Sequence, residues 1–213
     1  LVTAGGTREA IDPVRYIGNK SSGKQGIAIA EAGLARGAEV TLIIANSAID
    51  IDPRINRIDV TSVSDMSEAL HREFSGCQML FMAAAVSDAK PESASHEKIK
   101  KADFNQITLT ENPDLLASLP AHDSQKVVIA FAAETDSDAI ATAQSKLSRK
   151  NAELIYLNDV SDGKIFGSSH TSGYIIDKAG VLEEVQGVSK DFLAHALINH
   201  AITKLDKLGY PNV

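Results

Sequence analysis

Short apolar runs alternate with helical periodicity along this chain, and that alternation limits its fold more than any other feature. Residues 1–4, 39–45, 57–60, 78–86, 126–132 and 153–157 read as strands; 22–36, 64–74 and 136–150 carry apolar residues at helical spacing. Such alternation specifies parallel strands joined by helices that cover both faces of one sheet. In 22–36, Ile27, Ala30 and Leu34 share a face and Gly37 is a stop signal. The 78–86 run is apolar throughout, as expected of a strand near the centre of a parallel sheet. Between it and "QITLT" at Gln106 lie nineteen residues, "SDAKPESASHEKIKKADFN", without either periodicity; a loop of that length in a compact domain is a functional lid or a linker. A short helix is expected at 113–119.

Near the end the alternation gives way to a hairpin, 174–177 and 181–185, around Lys178-Ala-Gly180. A last helix, 190–208, follows, with Leu193, Leu197, Ala201 and Leu205 on one side, Ser189 as its cap and Gly209-Tyr-Pro211 as its stop. The expected fold is α/β: a three-layer Rossmann-like arrangement with a mostly parallel sheet, a long lid loop and a C-terminal hairpin plus helix. At 213 residues a single domain spanning 1–213 is expected.

A net charge of −7 argues against broad nucleic-acid binding, while leaving room for a local cationic pocket that holds a small anion. The longest apolar runs, 40–45 and 79–86, fall far short of the roughly 20 residues of a membrane-spanning helix, and no signal pattern is present. A soluble, cytoplasmic protein without membrane partners is the expectation. The single cysteine, Cys77, cannot form an intramolecular disulfide and reads as a packed residue. The six histidines show no metal-binding spacing. The chain opens "LVTAGG", with a strand already under way and no initiator methionine, which points to a natural start further upstream.

Open α/β sheets bind ligands outside the carboxyl ends of their strands. That rule selects the loop 5–21, the lid 87–101, the "ENPD" turn and the segment leading from "VVIAF" into the lysine-bearing helix. The first ends in "GNKSSGKQG", which nearly spells the phosphate loop G-x-x-x-x-G-K-[ST]. A true phosphate loop follows its strand directly and closes on a hydroxyl for magnesium. Here the strand ends about a dozen residues earlier and Gln25 holds the last place, so a P-loop phosphotransferase is disfavoured. Ser21, Ser22 and Gly23 stand at a helix N-terminus, which is either a plain cap or an anion site, with Asn19 as an amide donor beside it. "TAGGTREA" lacks the G-x-G-x-x-G spacing of dinucleotide enzymes.

In the lid, Lys98, Lys100 and Lys101 are either solvated or carried over a bound polyphosphate, where a cation stabilises charge on departing pyrophosphate. Asp88, at the head of the lid, is a turn cap or a partner for a metal or nucleotide hydroxyl. Asn112, Pro113 and Asp114 follow helix-start grammar, as cap, first helical position and first-turn acid. Lys146 and Lys150 share a helix face and either complement the helix dipole or face a ligand.

Taken in order, "TAGGTREAIDPVRYIGNKSSGKQG", "AAAVSD", "KIKK", "ENPD", "FAAET", "KLSRKN" and "NDVS" closely resemble phosphopantothenoylcysteine synthetase of the bacterial, CTP-using kind, nearly end to end. The resemblance implies an amide ligase of coenzyme A biosynthesis. CTP activates the carboxylate of 4′-phosphopantothenate as an acyl-cytidylate with loss of pyrophosphate, and the amine of L-cysteine then displaces CMP. It implies that Asn19 contacts the acyl group of the intermediate and that Lys98 is needed to form it. Ala84, Asp88, Asn112, Pro113, Asp114, Leu115, Phe131, Lys146 and Lys150 fall on positions of the CTP site, and Arg15 on a further substrate contact, with Ser21, Ser22 and Gly23 beside the anionic substrate. It also implies a homodimer, Mg2+ with the triphosphate on ligands left unnamed, and an upstream flavin-dependent decarboxylase in the native chain. Ser87 replaces an alanine common in the family, Ala89 an aromatic, and "FGSSHTSG" lacks the usual Asp–Asn pair. A non-catalytic nucleotide-binding module is the alternative from another functional class.

Overall fold

The computed structural model describes residues 1–121, 126–134, 139–159 and 169–207. β1 (Val2–Gly5) is buried along its whole length and sits inside the sheet between β4 (Thr41–Ala45) and β6 (Met79–Met82), both parallel to it. β5 (Asn56–Val60) continues beyond β4, and β9 (Val127–Glu134) and β10 (Leu154–Asp159) continue beyond β6. The parallel strands thus run β5-β4-β1-β6-β9-β10, the doubly wound order in which connections leave the first strand in opposite directions. β11 (His170–Asp177) and β12 (Gly180–Ser189) extend the β10 edge antiparallel.

Two helix layers complete the structure. On one face α1 (Lys24–Ala35) and α5 (Lys190–Lys207) bury Ile27, Ile29 and Ala30 with Leu193, Leu197, Ala201 and Leu205. On the other, α2 (Val63–Phe74), α3 (Leu115–Ser118) and α4 (Ala139–Arg149) bury Met66, Leu70 and Phe74 with Leu115, Leu116, Ala143 and Leu147. The three-layer Rossmann-like expectation holds. Phe192 N–H donates to Ser189 Oγ at 3.0 Å, so the predicted cap of α5 is made. The proposed stop at 209–211 lies outside the described residues.

Four local expectations need correction. The 78–86 run leaves the sheet after Met82, where small residues turn along the exit of β1 instead of extending the strand. The lid is not structureless: β7 (Ala89–Pro91) and β8 (Leu109–Glu111) form an antiparallel ribbon at its base. A second ribbon, β2 (Arg8–Ala10) with β3 (Tyr16–Gly18), fills the loop after β1. Three-residue ladders are too short to impress a period of two on a sequence. Finally, Asp114 rather than Asn112 caps α3: its Oδ1 accepts from Leu116 N at 3.1 Å and Ala117 N at 3.3 Å.

α1 lies unusually close to β1 because Gly26 faces that strand. A Cβ there would fall 2.6 Å from both Ala4 Cβ and Thr3 O, closer than side-chain contacts allow. Gly26→Ala is therefore expected to push α1 off the sheet and to lower stability by about 1–3 kcal/mol, read from the denaturant midpoint. An unchanged midpoint would contradict the close approach.

Candidate active site

The site is built where the strand order reverses, at the carboxyl ends of β1 and β6. Gly5, at φ 80°, passes so close to β4 that a Cβ would fall 1.9 Å from Ala45 O. Beyond it the two exits are stitched together: Ala85 N–H donates to Gly5 O at 2.8 Å and Thr7 N–H to Ala85 O at 3.2 Å. Thr3 and Thr7, both fully buried, add side-chain acceptors. Thr3 Oγ1 takes Ala84 N–H at 3.1 Å, and Thr7 Oγ1 takes Ser87 N–H at 2.9 Å. Ser87, the departure from family wording, is itself buried and donates to Ala89 O at 2.7 Å. Asn19 Nδ2 donates to Val86 O at 2.9 Å, joining the glycine-rich loop to the same exit. That bond uses one of the two amide protons and leaves the other for a ligand.

These segments frame a crevice of about 880 Å³. Of the residues singled out from sequence, it collects Asn19, Ser21, Ser22 and Gly23 on the α1 side, and Ala84 and Asp88 at the β6 exit. Asn112, Pro113, Asp114 and Leu115 line it at α3, Phe131 on β9, and Lys150 beyond α4. Asn112 Nδ2 donates to Ser87 O at 3.0 Å and its N–H to Asp88 O at 2.8 Å, so this asparagine secures the base of the lid. Lys150 Nζ lies 3.1 Å from Asp114 Oδ2. Burial works to raise the Asp114 pKa, but the Lys150 hydrogen bond and charge, with two backbone donors, outweigh it and hold it below the ordinary value.

The apparent phosphate loop is resolved by its surroundings. β3 precedes it rather than β1, and Gln25 Nε2 donates to Lys190 O at 3.2 Å, a structural bond between α1 and α5. α1 begins at Lys24, later than the sequence pattern suggests. Its cap, Gly23 at φ 79°, provides no side-chain acceptor, so the helix N-terminus opens toward the crevice with its first-turn donors uncapped.

Arg15, Lys98 and Lys146 do not line the crevice. Arg15 instead grips Asp12, whose side chain is fully buried. The Asp12 carboxylate accepts from the Arg15 guanidinium, from Val14 and Arg15 N–H at 2.9 Å, and from Ile99 N–H at 3.2 Å. Arg15 also donates to Ile99 O at 2.9 Å and lies 3.6 Å over the Phe104 ring. Both backbone groups of Ile99 are thus clasped, and Lys98 next to it stays exposed on the lid. Lys146 is half-buried on α4.

Sequence reasoning missed the far wall. Tyr156 O–H donates to Thr171 Oγ1 at 2.8 Å, which donates to Asn158 Oδ1 at 3.0 Å. Phe131 packs edge-on against Tyr156 with centroids 5.7 Å apart. Lys24 and Gln25, beside Gly23 on the α1 side, and Lys190 at the start of α5 also line the crevice. Asn158 was signalled by the "NDVS" motif, whereas Lys190 looks like any first residue of a helix. In the 166–173 segment, 166–168 lie outside the described residues. Among the described residues no group of three His, Cys, Asp or Glu side chains could hold a metal.

A doubly wound sheet with a crevice at its reversal point defines the class of α/β proteins that bind nucleotides or similar ligands at that place. More particularly, residues 1–205 match the family described as DNA/pantothenate metabolism flavoprotein C-terminal domain, and the chain belongs to it. It is 38% identical over 217 residues to the coenzyme A biosynthesis bifunctional protein CoaBC of Mycobacterium bovis, covering 96% of this chain and 52% of that protein. The chain thus spans about half the length of the curated relatives it matches. A crystal structure of the C-terminal domain of CoaBC superposes with a TM-score of 0.81 at 32% identity, covering 96% of this chain and 94% of that one. A Cab2 mutant in complex with phosphopantothenate-cysteine shares the fold at 20% identity, with a TM-score of 0.76 and coverages of 97% and 85%.

The clasp generates a test. The Arg15 hydrogen bond is the largest cause holding the Asp12 pKa well below the usual carboxylate range; burial opposes it, and backbone donors add to it. The ionised form accepts the bonds, so the clasp is complete above pH about 4 and weakens as pH falls below that toward the folded-state pKa. Asp12→Asn should raise the rate of tryptic cleavage at Lys98, Lys100 and Lys101 at pH 7 by about tenfold or more. Equal cleavage rates would show that the clasp does not restrain the lid.

Proposed function

We propose that this chain is the phosphopantothenate–cysteine ligase domain of coenzyme A biosynthesis, using CTP to join 4′-phosphopantothenate to L-cysteine through an acyl-cytidylate. The observation that carries this reading is the convergence of Asn19, the Ser21-Ser22-Gly23 turn, Asp88, the Asn112 to Leu115 turn and Lys150 on one crevice, from segments far apart in sequence. At about 880 Å³ it lies at the large end of small-molecule sites, as suits two reactants held together. Membership of a family whose relatives carry coenzyme A biosynthesis in their names supports the substrate class.

In the first step a carboxylate oxygen of phosphopantothenate bonds to the α-phosphorus of CTP, and the bond to pyrophosphate breaks. In the second, the cysteine amine bonds to the acyl carbon, CMP leaves, and the ammonium proton passes to solvent. Neither step needs an enzyme nucleophile; both need charge neutralisation and a donor on the acyl oxygen. The free Asn19 amide proton is that donor. The uncapped start of α1 presents N–H groups to phosphate oxygens. Lys150, already paired with Asp114, forms with Asn112, Leu115 and Phe131 a fixed edge for the nucleoside. Lys98 is exposed outside the crevice, so its part in the first step calls for a movement of the lid.

Magnesium is usually held by substrate phosphates with one or two carboxylates rather than by a protein cage, and Asp88, which lines the crevice with Glu111 and the Lys150-paired Asp114, fits such a role. When bound, it would neutralise triphosphate charge. A homodimer in the cytoplasm belongs to the same reading. Val14, Tyr16 and Leu109, 62%, 53% and 50% exposed on or between the strands of the two ribbons, supply apolar surface for pairing, as do Val181 and Leu182 on β12 at the sheet edge. No described helix is long and apolar enough to cross a membrane.

Pyrophosphate release measured with CTP, phosphopantothenate and cysteine tests the reaction. Release should require CTP and phosphopantothenate; equal release without phosphopantothenate would refute the ligase. Asn19→Ala should still release pyrophosphate while acyl-cytidylate accumulates, its second step slowed about 10²–10³-fold. Lys98→Gln should block the first step. Failure of both variants at one step would refute this division of roles.

A further inference from the structure

The part of the crevice lining that sequence reasoning missed includes a cation with no counter-ion among the described residues. Lys190 opens α5; its N–H donates to Ser169 O at 3.1 Å, and its carbonyl accepts the Gln25 amide at 3.2 Å. The residue is thereby pinned against the first turn of α1, where Lys24 stands on the same wall of the crevice. The Lys190 side chain is half-buried and makes no hydrogen bond or ion pair among the described residues. Burial first, then the like charge of Lys24, push its pKa below the usual lysine value. Gln25 Oε1, on the same amide that donates to Lys190 O, is buried without a hydrogen-bond partner among the described residues.

Placing an unpaired ammonium beside a second one, half out of water, is unfavourable for folding alone. The arrangement becomes favourable when an anion occupies the wall. Lys150 does not serve, because Asp114 already neutralises it. The uncapped α1 terminus adds donors on the same side. The orphan Gln25 acceptor asks for a donor as well, which a hydroxyl or the hydration water of a phosphate supplies.

We propose that Lys190 and Lys24 form a phosphoryl-anion subsite on the α1–α5 wall of the crevice, with Lys190 as its principal binding residue. This rests on the ligase reading for the source of the anion, which is either the polyphosphate of the nucleotide or the phosphomonoester of phosphopantothenate. Both offer the same dianionic oxygens, and kinetics separate them.

The test is Lys190→Met in the whole chain, with KM determined separately for CTP and for phosphopantothenate, and calorimetric binding of inorganic phosphate and pyrophosphate. KM for one substrate should rise about 10- to 100-fold, as expected on losing a charge-assisted hydrogen bond, and the substrate affected identifies the source. Lys190→Arg should recover most of the loss. The melting temperature of Lys190→Met should equal or exceed that of the parent, because an unpaired cation is removed. Lys178→Met, in the exposed β11–β12 turn, is the charge control and should change nothing. Unchanged KM values and unchanged anion binding in Lys190→Met would overturn the subsite, as would a fall in melting temperature that arginine does not restore. If the parent protein makes no product, the ligase reading fails; weaker phosphate or pyrophosphate binding by Lys190→Met would then still support the subsite.

Discussion

Everything at the crevice depends on how closely the backbone can pass around β1. Gly5 slides beneath Ala45, and Gly26 lets α1 rest on Ala4 and Thr3 without a side chain between them. With those two approaches made, the exits of β1 and β6 come within hydrogen-bonding range and lock through Gly5, Thr7 and Ala85. The reversal of strand order supplies the gap; the glycines set its width. A side chain at either position would move the floor on which Asn19 and the α1 terminus stand.

Charge is distributed unevenly around that floor. Two ion pairs stand at the crevice and the lid: Lys150 with Asp114, and Arg15 with Asp12. These pairs hold backbone in place, at the start of α3 and at Ile99 of the lid. Lys190, lining the crevice at the start of α5, is left unpaired among the described residues. The paired groups shape the crevice, and the unpaired cation gives it affinity for anions.

The main architecture was legible because buried parallel strands must be apolar and their helices must show one apolar face. β4, α2 and α5 illustrate this, with ends within two residues of the sequence pattern. The topological rule selected the loop 5–21, and helix-start chemistry added Ser22 and Gly23; Asn19, Ser21, Ser22 and Gly23 all line the crevice. The ribbons β2–β3 and β7–β8 were not legible, since three paired residues leave no periodic trace. Asn112 and Asp114 are both good helix caps, and the choice between them was made by Ser87 O and Asp88 O, which claim Asn112 from a distant segment. Arg15 was assigned a ligand contact from the family resemblance, and nothing in sequence reveals that Ile99, 84 residues away, shares its location with Asp12. Lys190 was invisible for the same reason: its significance comes from Lys24, Gln25 and the cavity they share.

The joining of α1 to α5 also shapes how such a domain comes into being. Gln25 and Lys190, bonded across the two helix starts, are separated by 165 residues, and that face of the sheet is only partly covered until both helices are present. During synthesis the α1 side of the core therefore waits, exposed, for a helix made near the end, and a contact of that length slows the closing step of folding. A chain halted before α5 would present Ile27, Ile29 and the adjoining strands to solvent, making it a natural substrate for chaperones and proteases.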